Sequence, residues 1–258
     1  MKILVLMKAV AANTGGYTGA ERQHTELLPN PADITALEEA LKLRDAHGGQ
    51  VTVLSMGPPS AGSMLKDALA RGADKAVLLT DTAFAGADTA ATSRTLAAAV
   101  QRLGGFELIF CGRKTTDGET GQVGPELAAR LNIACICSCC AFSCDNNIAR
   151  CSYLVDGGVK TVSAGLPALI SVVFGINSPR LPSLSGLRRA KREELLCLDR
   201  AALGIPEALC GAKGSPTQVL RSYSVPFEKR KCRYIDAGEL PQLLPKLRAA
   251  QGKERFHG

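Results

Sequence analysis

The sequence predicts an α/β fold: an open, mostly parallel, Rossmann-like sheet with crossover helices, added antiparallel strands and an extended C-terminal arm. Three observations carry that prediction. Short β-type apolar runs alternate with amphipathic helical patterns through the first half of the chain, and each run ends where a polar or glycine-containing loop begins. From Ile133 onward the texture changes to short alternating runs joined through a turn at Asp156, Gly157 and Gly158.

In chain order, the apolar runs predict strands at Ile3 to Met7, Val51 to Met56, Ala76 to Thr80 and Glu107 to Cys111. Between the first two, Ile34, Leu37 and Leu41 recur at helical spacing and Gly48 supplies a stop. Leu65 and Leu69 mark a second helix ending at Gly72; Leu96, Val100 and Leu103 mark a third, closed by Gly104 and Gly105. A fourth carries Val123, Leu127 and Leu131. The run CSYLVDGGVKTVSAGLPALISVVFG reads as strands, with a hairpin added to the edge of the parallel sheet. We expect a nucleotide-binding domain over residues 1–196 and an arm over residues 197–258, which is linker-like at GAKGSPTQ and ends in a weak helix at ELPQLLPKLRAAQG.

Composition narrows the function. A net charge of +7 favours an acidic partner, but four tyrosines, seven phenylalanines and no tryptophan offer few stacking platforms for nucleic acid. A protein surface or nucleotide phosphates fit better. No apolar run approaches the roughly 18 residues of a membrane span, and MKILVLMK is too short and strand-like for a signal peptide, so a cytoplasmic location is expected. Ten cysteines agree with a reducing compartment. Cys135, Cys137, Cys139, Cys140, Cys144 and Cys151 cluster, but C-x-C-x-C lacks the C-x2-C pairs usual for zinc or iron–sulfur sites. We read them as small hydrophobes on a buried strand face and assign no metal.

Ligands of open α/β sheets collect beyond the carboxyl ends of the strands. Four such ends carry suggestive residues, LMKAV, NPAD, SMGPPSAG and CGRKTTDGETGQVG, which together line one adenine-nucleotide site. In the last, Gly118, Gly121 and Gly124 admit close backbone approach, and the following helix presents N–H groups at its positive dipole end. Thr120 is the expected N-cap and Pro125 suits a first turn, with Arg113 or Lys114 assisting phosphate binding. Thr116 with Glu119 equally fits a capping box, so cradle and cap stand as alternatives at this point. Asp117 and Glu119 would repel phosphate and fit turn capping or ribose contacts. No G-x-x-x-x-G-K-[ST] loop or G-x-S-x-G elbow occurs, and His24, His47 and His257 lie in polar or terminal segments; no catalytic residue is assigned. In NSPRLPSLSGLRRAKREE, Leu181, Leu184 and Leu187 recur every third residue ahead of a basic run, the form of an apolar anchor rimmed by cations.

These residues resemble the β subunits of electron transfer flavoproteins. The similarity runs through MKILVLMKAV, NPADITALEEALKL, SMGPPSA, GADKAVLLTD, CGRKTTDGETGQVGPELA, VDGGVKTVSAGLPALISV, NSPRLPSLSGLRRAKRE and GSPTQV, in family order. It implies a heterodimer whose larger α subunit carries FAD near the interface, while this subunit holds AMP or, in electron-bifurcating members, a second FAD reduced by NADH. Carried over by position, the nucleotide contacts fall on Leu6, with Lys8 beside it, on Asn30, Pro31, Ala32 and Asp33, on Met56, and on Gly112, Arg113, Lys114, Thr115, Thr116, Asp117, Gly118, Glu119, Thr120, Gly121, Gln122 and Val123. DGETGQVGP is closer to the DGDTAQVGP of bifurcating members, which leans the assignment toward a second FAD. The docking loop for an acyl-CoA dehydrogenase-type flavoenzyme falls on Val172 to Glu194, with Leu184 as anchor and Arg180, Arg188 and Lys191 around it. Leu181 stands where a tyrosine is usual and Arg188 where a methionine is usual, which implies an unusual dehydrogenase. A stand-alone adenine-nucleotide-binding or hydrolysing protein of similar topology is the alternative.

Overall fold

The computed structural model describes residues 1–12, 27–221, 235–236, 238 and 240–245. The first strand, β1 (Lys2–Leu6), leads into a ribbon in which β2 (Ala9–Ala11) pairs antiparallel with β3 (Leu27–Pro29). Then come α1 (Pro31–His47), β4 (Gln50–Met56), α2 (Gly62–Arg71), β5 (Lys75–Leu79), α3 (Thr89–Arg102), β6 (Leu108–Gly112) and α4 (Val123–Leu131). The predicted alternation of strands and helices is present, and Gly48 and Gly72 follow the last residues of α1 and of α2 as expected.

The second half holds β7 (Ala134–Cys139), β8 (Ala141–Asp145), β9 (Ile148–Val155), β10 (Gly158–Gly165), β11 (Ala168–Val172), α5 (Leu184–Arg192), β12 (Leu196–Leu198) and the short α6 (Arg200–Leu203). Seven strands form one sheet in the order β12-β5-β4-β1-β6-β11-β7, parallel at every pairing. β9 and β10 are joined by the tight turn at Asp156 and Gly157, as the sequence suggests. Their place differs from the expectation. With β8 they make a separate three-stranded antiparallel sheet, and it is the final run of that region, β11, that enters the parallel sheet between β6 and β7. Burial explains the split: every residue of β11 is buried, as a strand covered on both faces must be, whereas β9 and β10 expose much of theirs.

Two cores flank the sheet. Along β1, Ile3 and Val5 face a core shared with Leu37 and Leu41 of α1 and Leu65 and Leu69 of α2, while Leu4 and Leu6 face one shared with Leu96 and Val100 of α3 and Leu127 of α4. The chain divides into two compact units, Met1–Ser222 and Tyr223–Gly258. The expected boundary at 196/197 therefore falls inside β12, which extends the sheet beside β5, and residues up to 221 pack with the first unit; Ser215, for example, accepts the Asp88 N–H. In the second unit, residues 240–245 are helical, within the helix expected there. The basic run FEKRKCR, His24 and His257 lie outside the described residues. No helix among the described residues is long and apolar enough to cross a membrane.

Candidate functional site

The strand order reverses at β1. Its successors β4 and β5 lie on one side and β6 on the other, so a crevice opens beyond the carboxyl ends of β1 and β6, the usual ligand position in such sheets. Leu6 closes β1, Met56 closes β4 and Gly112 closes β6, which brings the three sequence-predicted stretches to one edge.

Two buried polar side chains from the start of α1 hold that edge together. Asp33, 4% exposed, accepts the Lys8 N–H at 2.8 Å through Oδ2 and the Gly112 N–H at 3.0 Å through Oδ1, tying the ends of β1 and β6 to one carboxylate. Its burial pushes the carboxyl up to about 6, opposed by the N–H groups of Lys8 and Gly112 and by Asn30. Asn30, 1% exposed, donates through Nδ2 to the Lys114 carbonyl at 3.1 Å and accepts the Thr116 N–H at 3.3 Å. One amide thus fixes both sides of the loop that follows β6. Pro31 at the first position of α1 sets the helix start without needing a donor there. Only glycine fits at residue 112: a Cβ there would stand 2.4 Å from Asp33 Oδ1 and 2.7 Å from the Ala32 Cβ.

The loop itself pairs its acids with cations. Asp117 bonds Lys8 Nζ at 2.8 Å, and Glu119, in the left-handed region at φ 52°, accepts from Lys114 Nζ at 3.0 Å. The expected repulsion of phosphate by these acids is answered by this pairing. Two local expectations fail. The helix begins at Val123 with Gln122 before it and no side-chain cap, because Gly121 at φ 64° turns the chain after Thr120. Thr120 is therefore not the N-cap, and Thr116 with Glu119 makes no capping box. At the start of α4 the N–H groups of Val123 and Gly124 have no intrahelical acceptor, Pro125 carries none and Glu126 donates to the Gln122 carbonyl; the side chains of Arg113, Lys114, Thr116, Thr120 and Gln122 are exposed around them. Thr115 and Val123 are partly buried at the two ends of the turn.

The second candidate region begins where β11 ends. Here Arg180, expected beside the docking anchor, is held within its own chain: its guanidinium grips the buried Glu38 carboxylate through Nε at 3.0 Å and Nη2 at 3.1 Å, and Nη1 meets Asp45 at 2.8 Å. Asn177 donates to the Thr35 carbonyl and to Glu39, each at 2.8 Å. Arg180 and Asn177 are the stem that fastens the segment to α1, leaving Arg180 committed within its own chain. Glu38 and Glu39 are both buried, and no local signal in the sequence announces that residues 177–180 cover them. Beyond the stem, Leu181 and Leu184 are 82% and 78% exposed, and Leu187, Arg188 and Lys191 are also exposed. Ser183 caps α5 by accepting the Gly186 N–H at 2.9 Å, so the leucine-rich loop is in part a helix, and Arg189 pins it by donating to the carbonyls of Leu69 and Ala73.

The cysteines divide. Cys139, Cys144 and Cys151 are buried, as expected of small hydrophobes, but Cys135 and Cys137 are exposed. A bulge is the cause: the register against β11 shifts between Ile170 and Val172, with Ser138 at φ 61°, and the extra residue turns Cys139 to the opposite face from Cys137. Among the described residues no group of three or more His, Cys, Asp or Glu side chains is placed to hold a metal ion.

A family model described as "Electron transfer flavoprotein domain" matches residues 19–201. Protein FixA of Bradyrhizobium diazoefficiens is 39% identical over 228 residues, covering 85% of this chain and 79% of its own. The electron transfer flavoprotein subunit beta of Clostridium acetobutylicum is 41% identical over 201 residues, 78% of this chain and 77% of its own. The caffeyl-CoA reductase-Etf complex subunit CarD of Acetobacterium woodii is 38% identical over 232 residues, 88% of each chain. With the parallel sheet, the crevice at its strand reversal and these matches across most of its length, the chain belongs to the electron transfer flavoprotein family, on its β-subunit side.

Proposed function

We propose that this chain is the nucleotide-holding β subunit of a heterodimeric electron transfer flavoprotein, pairing with an FAD-carrying α subunit and passing electrons between an acyl-CoA dehydrogenase-type flavoenzyme and other acceptors or NADH. The observation that carries it is the clamp of Asn30 and Asp33 on the loop over the β1/β6 crevice. A nucleotide fits this donor set: the N–H groups of Val123 and Gly124 at the start of α4 and the exposed Arg113 and Lys114 suit phosphates. Leu6, Lys8, Asn30 to Asp33, Met56 and residues 112–123 would hold it. Of the two candidates we favour a second FAD over AMP, because Asp117–Pro125 follows the bifurcating pattern.

No bond-making side chain is required of this subunit. Bound flavin supplies the redox chemistry, and the protein supplies position and electrostatics. Lys8 and Lys114 are held by Asp117 and Glu119, which sets how much positive charge the loop presents, and Asp33 keeps both strand ends in register under it. The segment beyond β11 offers Leu184, ringed by Arg188 and Lys191, to the dehydrogenase.

Counting cofactors tests the reading. Co-expression with the α subunit is expected to yield a yellow heterodimer that releases two flavins on denaturation. One flavin with one AMP would replace the second FAD by AMP and leave the carrier role standing. A colourless chain that binds or hydrolyses adenine nucleotide without any partner would overturn the carrier role.

A further inference from the structure

A sequence motif that electron carriage does not use is the C-x-C of β7. Cys135 and Cys137 are exposed with their sulfurs 3.7 Å apart, on a strand at the edge of the sheet. They open into a cleft of about 850 Å³ between β7 and the β9–β10 hairpin, with Arg113, Tyr153 and Leu154 among its walls. The bulge at Cys137 and Ser138 loosens the ladder at the point where the two thiols meet, and Ser171 beneath it accepts the Ser138 N–H at 3.0 Å. Bulges of this kind re-aim side chains at reactive sites.

We propose that Cys135 and Cys137 form a dithiol exchange site, open to the cleft, whose reaction partner is a low-molecular-weight disulfide. Cys137 is the attacking sulfur and Cys135 the resolving one. The assignment follows from what surrounds the pair: the two sulfurs share one hydrogen bond, and the Ser171 hydroxyl beneath the bulge gives Cys137 a further donor that Cys135 lacks, which together outweigh desolvation and bring Cys137 down to about 6, while Cys135 is pushed up by the same contact. The other groups facing the pair are the Arg113 guanidinium, the buried Cys111 thiol at the end of β6, Cys140 and the Tyr153 phenol.

In the first step the Cys137 thiolate attacks one sulfur of the small disulfide, its S–S bond breaks and one thiolate leaves. In the second, Cys135 loses its proton, its sulfur closes a bond to Cys137 and the second small thiolate departs. The two cysteines give up two electrons and two protons, and the small disulfide takes them as two thiols. Such a bridge spans residues two apart on one strand, and the bulge beside Cys137 supplies the freedom that a regular ladder would deny it.

The test uses the heterodimer, oxidised glutathione as probe, and alkylation with tandem mass spectrometry as readout. The parent is expected to lose two alkylation sites, at Cys135 and Cys137, with the mass of two hydrogens. Cys135→Ser is expected to stop at a single glutathionyl group on Cys137. In the parent, the initial rate of thiol loss should rise less than about twofold between pH 7 and 8, where an unperturbed thiol rises about eightfold. Flavin content serves as the folding control. Continued alkylation of both thiols in the parent, whether they are covered in the complex or simply inert, overturns the proposal. So does a Cys135→Ser variant that takes glutathione first at the exposed Cys197, or a parent whose first thiol loss follows the ordinary pH dependence.

Discussion

Residues 112–123 and residues 172–194 both leave the carboxyl end of a buried parallel strand, β6 in one case and β11 in the next, and they are held in opposite ways. The first is fixed along its backbone: the N–H groups of Gly112 and Thr116 and the carbonyl of Lys114 are all consumed by two buried side chains, while its own long side chains stay exposed. The second is fixed at its root, by Arg180 on Glu38 and Asn177 on Glu39, and its tip offers leucines that contribute little burial. The shape of the loop after β6 and the stability of the fold are therefore one property, whereas the leucine-bearing tip can change without the fold responding.

The largest effect that would break this contrast is at Gly112. A Cβ there meets the Asp33 carboxylate, the Ala32 Cβ and the Ala32 backbone at 2.4, 2.7 and 2.9 Å, none of which is the free end of a flexible chain. Gly112→Ala is expected to cost about 1–3 kcal/mol and to empty the nucleotide site, since relieving the clash means moving Asp33 off its two N–H groups. Thermal melting of the heterodimer and nucleotide content after gel filtration measure both. A variant that keeps its nucleotide while losing stability would separate shape from stability and defeat the coupling.

Asp33 sharpens the same point through pH. Its folded pKa of about 6 lies above that of an ordinary carboxylate, so protonation favours the folded state. The contribution is fully present below about pH 4 and is lost as pH rises through 6, amounting to about 3 kcal/mol. Asp45, Asp81 and Asp88, all held below the usual range, drive the total the other way, so the effect of Asp33 is read as a difference between two proteins. The stability advantage of the parent over Asp33→Asn is expected to shrink steadily between pH 4 and pH 7. A difference that stays flat across that interval would mean that the carboxylate does not titrate there.

Strands β1, β4, β5 and β6 and helices α1 to α4 were legible in the sequence because both-face burial writes continuous apolar runs and three of the four helices are followed by glycines. What was not legible depends on distant covering. β11 sits inside the sheet because β6 and β7 accept it there, and nothing within ALISV separates that from an edge hairpin. The alternation of Cys135, Cys137 and Cys139 predicts one face, and a single bulge reverses it. At the site, the glycines and Asp33 could be placed by motif, but the acids of DGET gained their meaning only when Lys8, from more than a hundred residues earlier, met Asp117.

The smallest effect on stability belongs to the tip. Leu184 is 78% exposed at the start of α5, so Leu184→Ala should leave the melting temperature and flavin content of the heterodimer unchanged while slowing electron transfer from the dehydrogenase. Arg180→Ala, a few residues away, should do the reverse in origin: it strands the buried Glu38 carboxylate, costs about 1–3 kcal/mol, and affects transfer only by letting the segment leave α1. Measuring both variants at saturating and at limiting dehydrogenase separates the two roles. Loss of an apolar anchor weakens transfer only when the dehydrogenase is limiting, so a Leu184→Ala variant with the parent's rate under both conditions would remove Leu184 from the interface and leave the exposed leucines without that role.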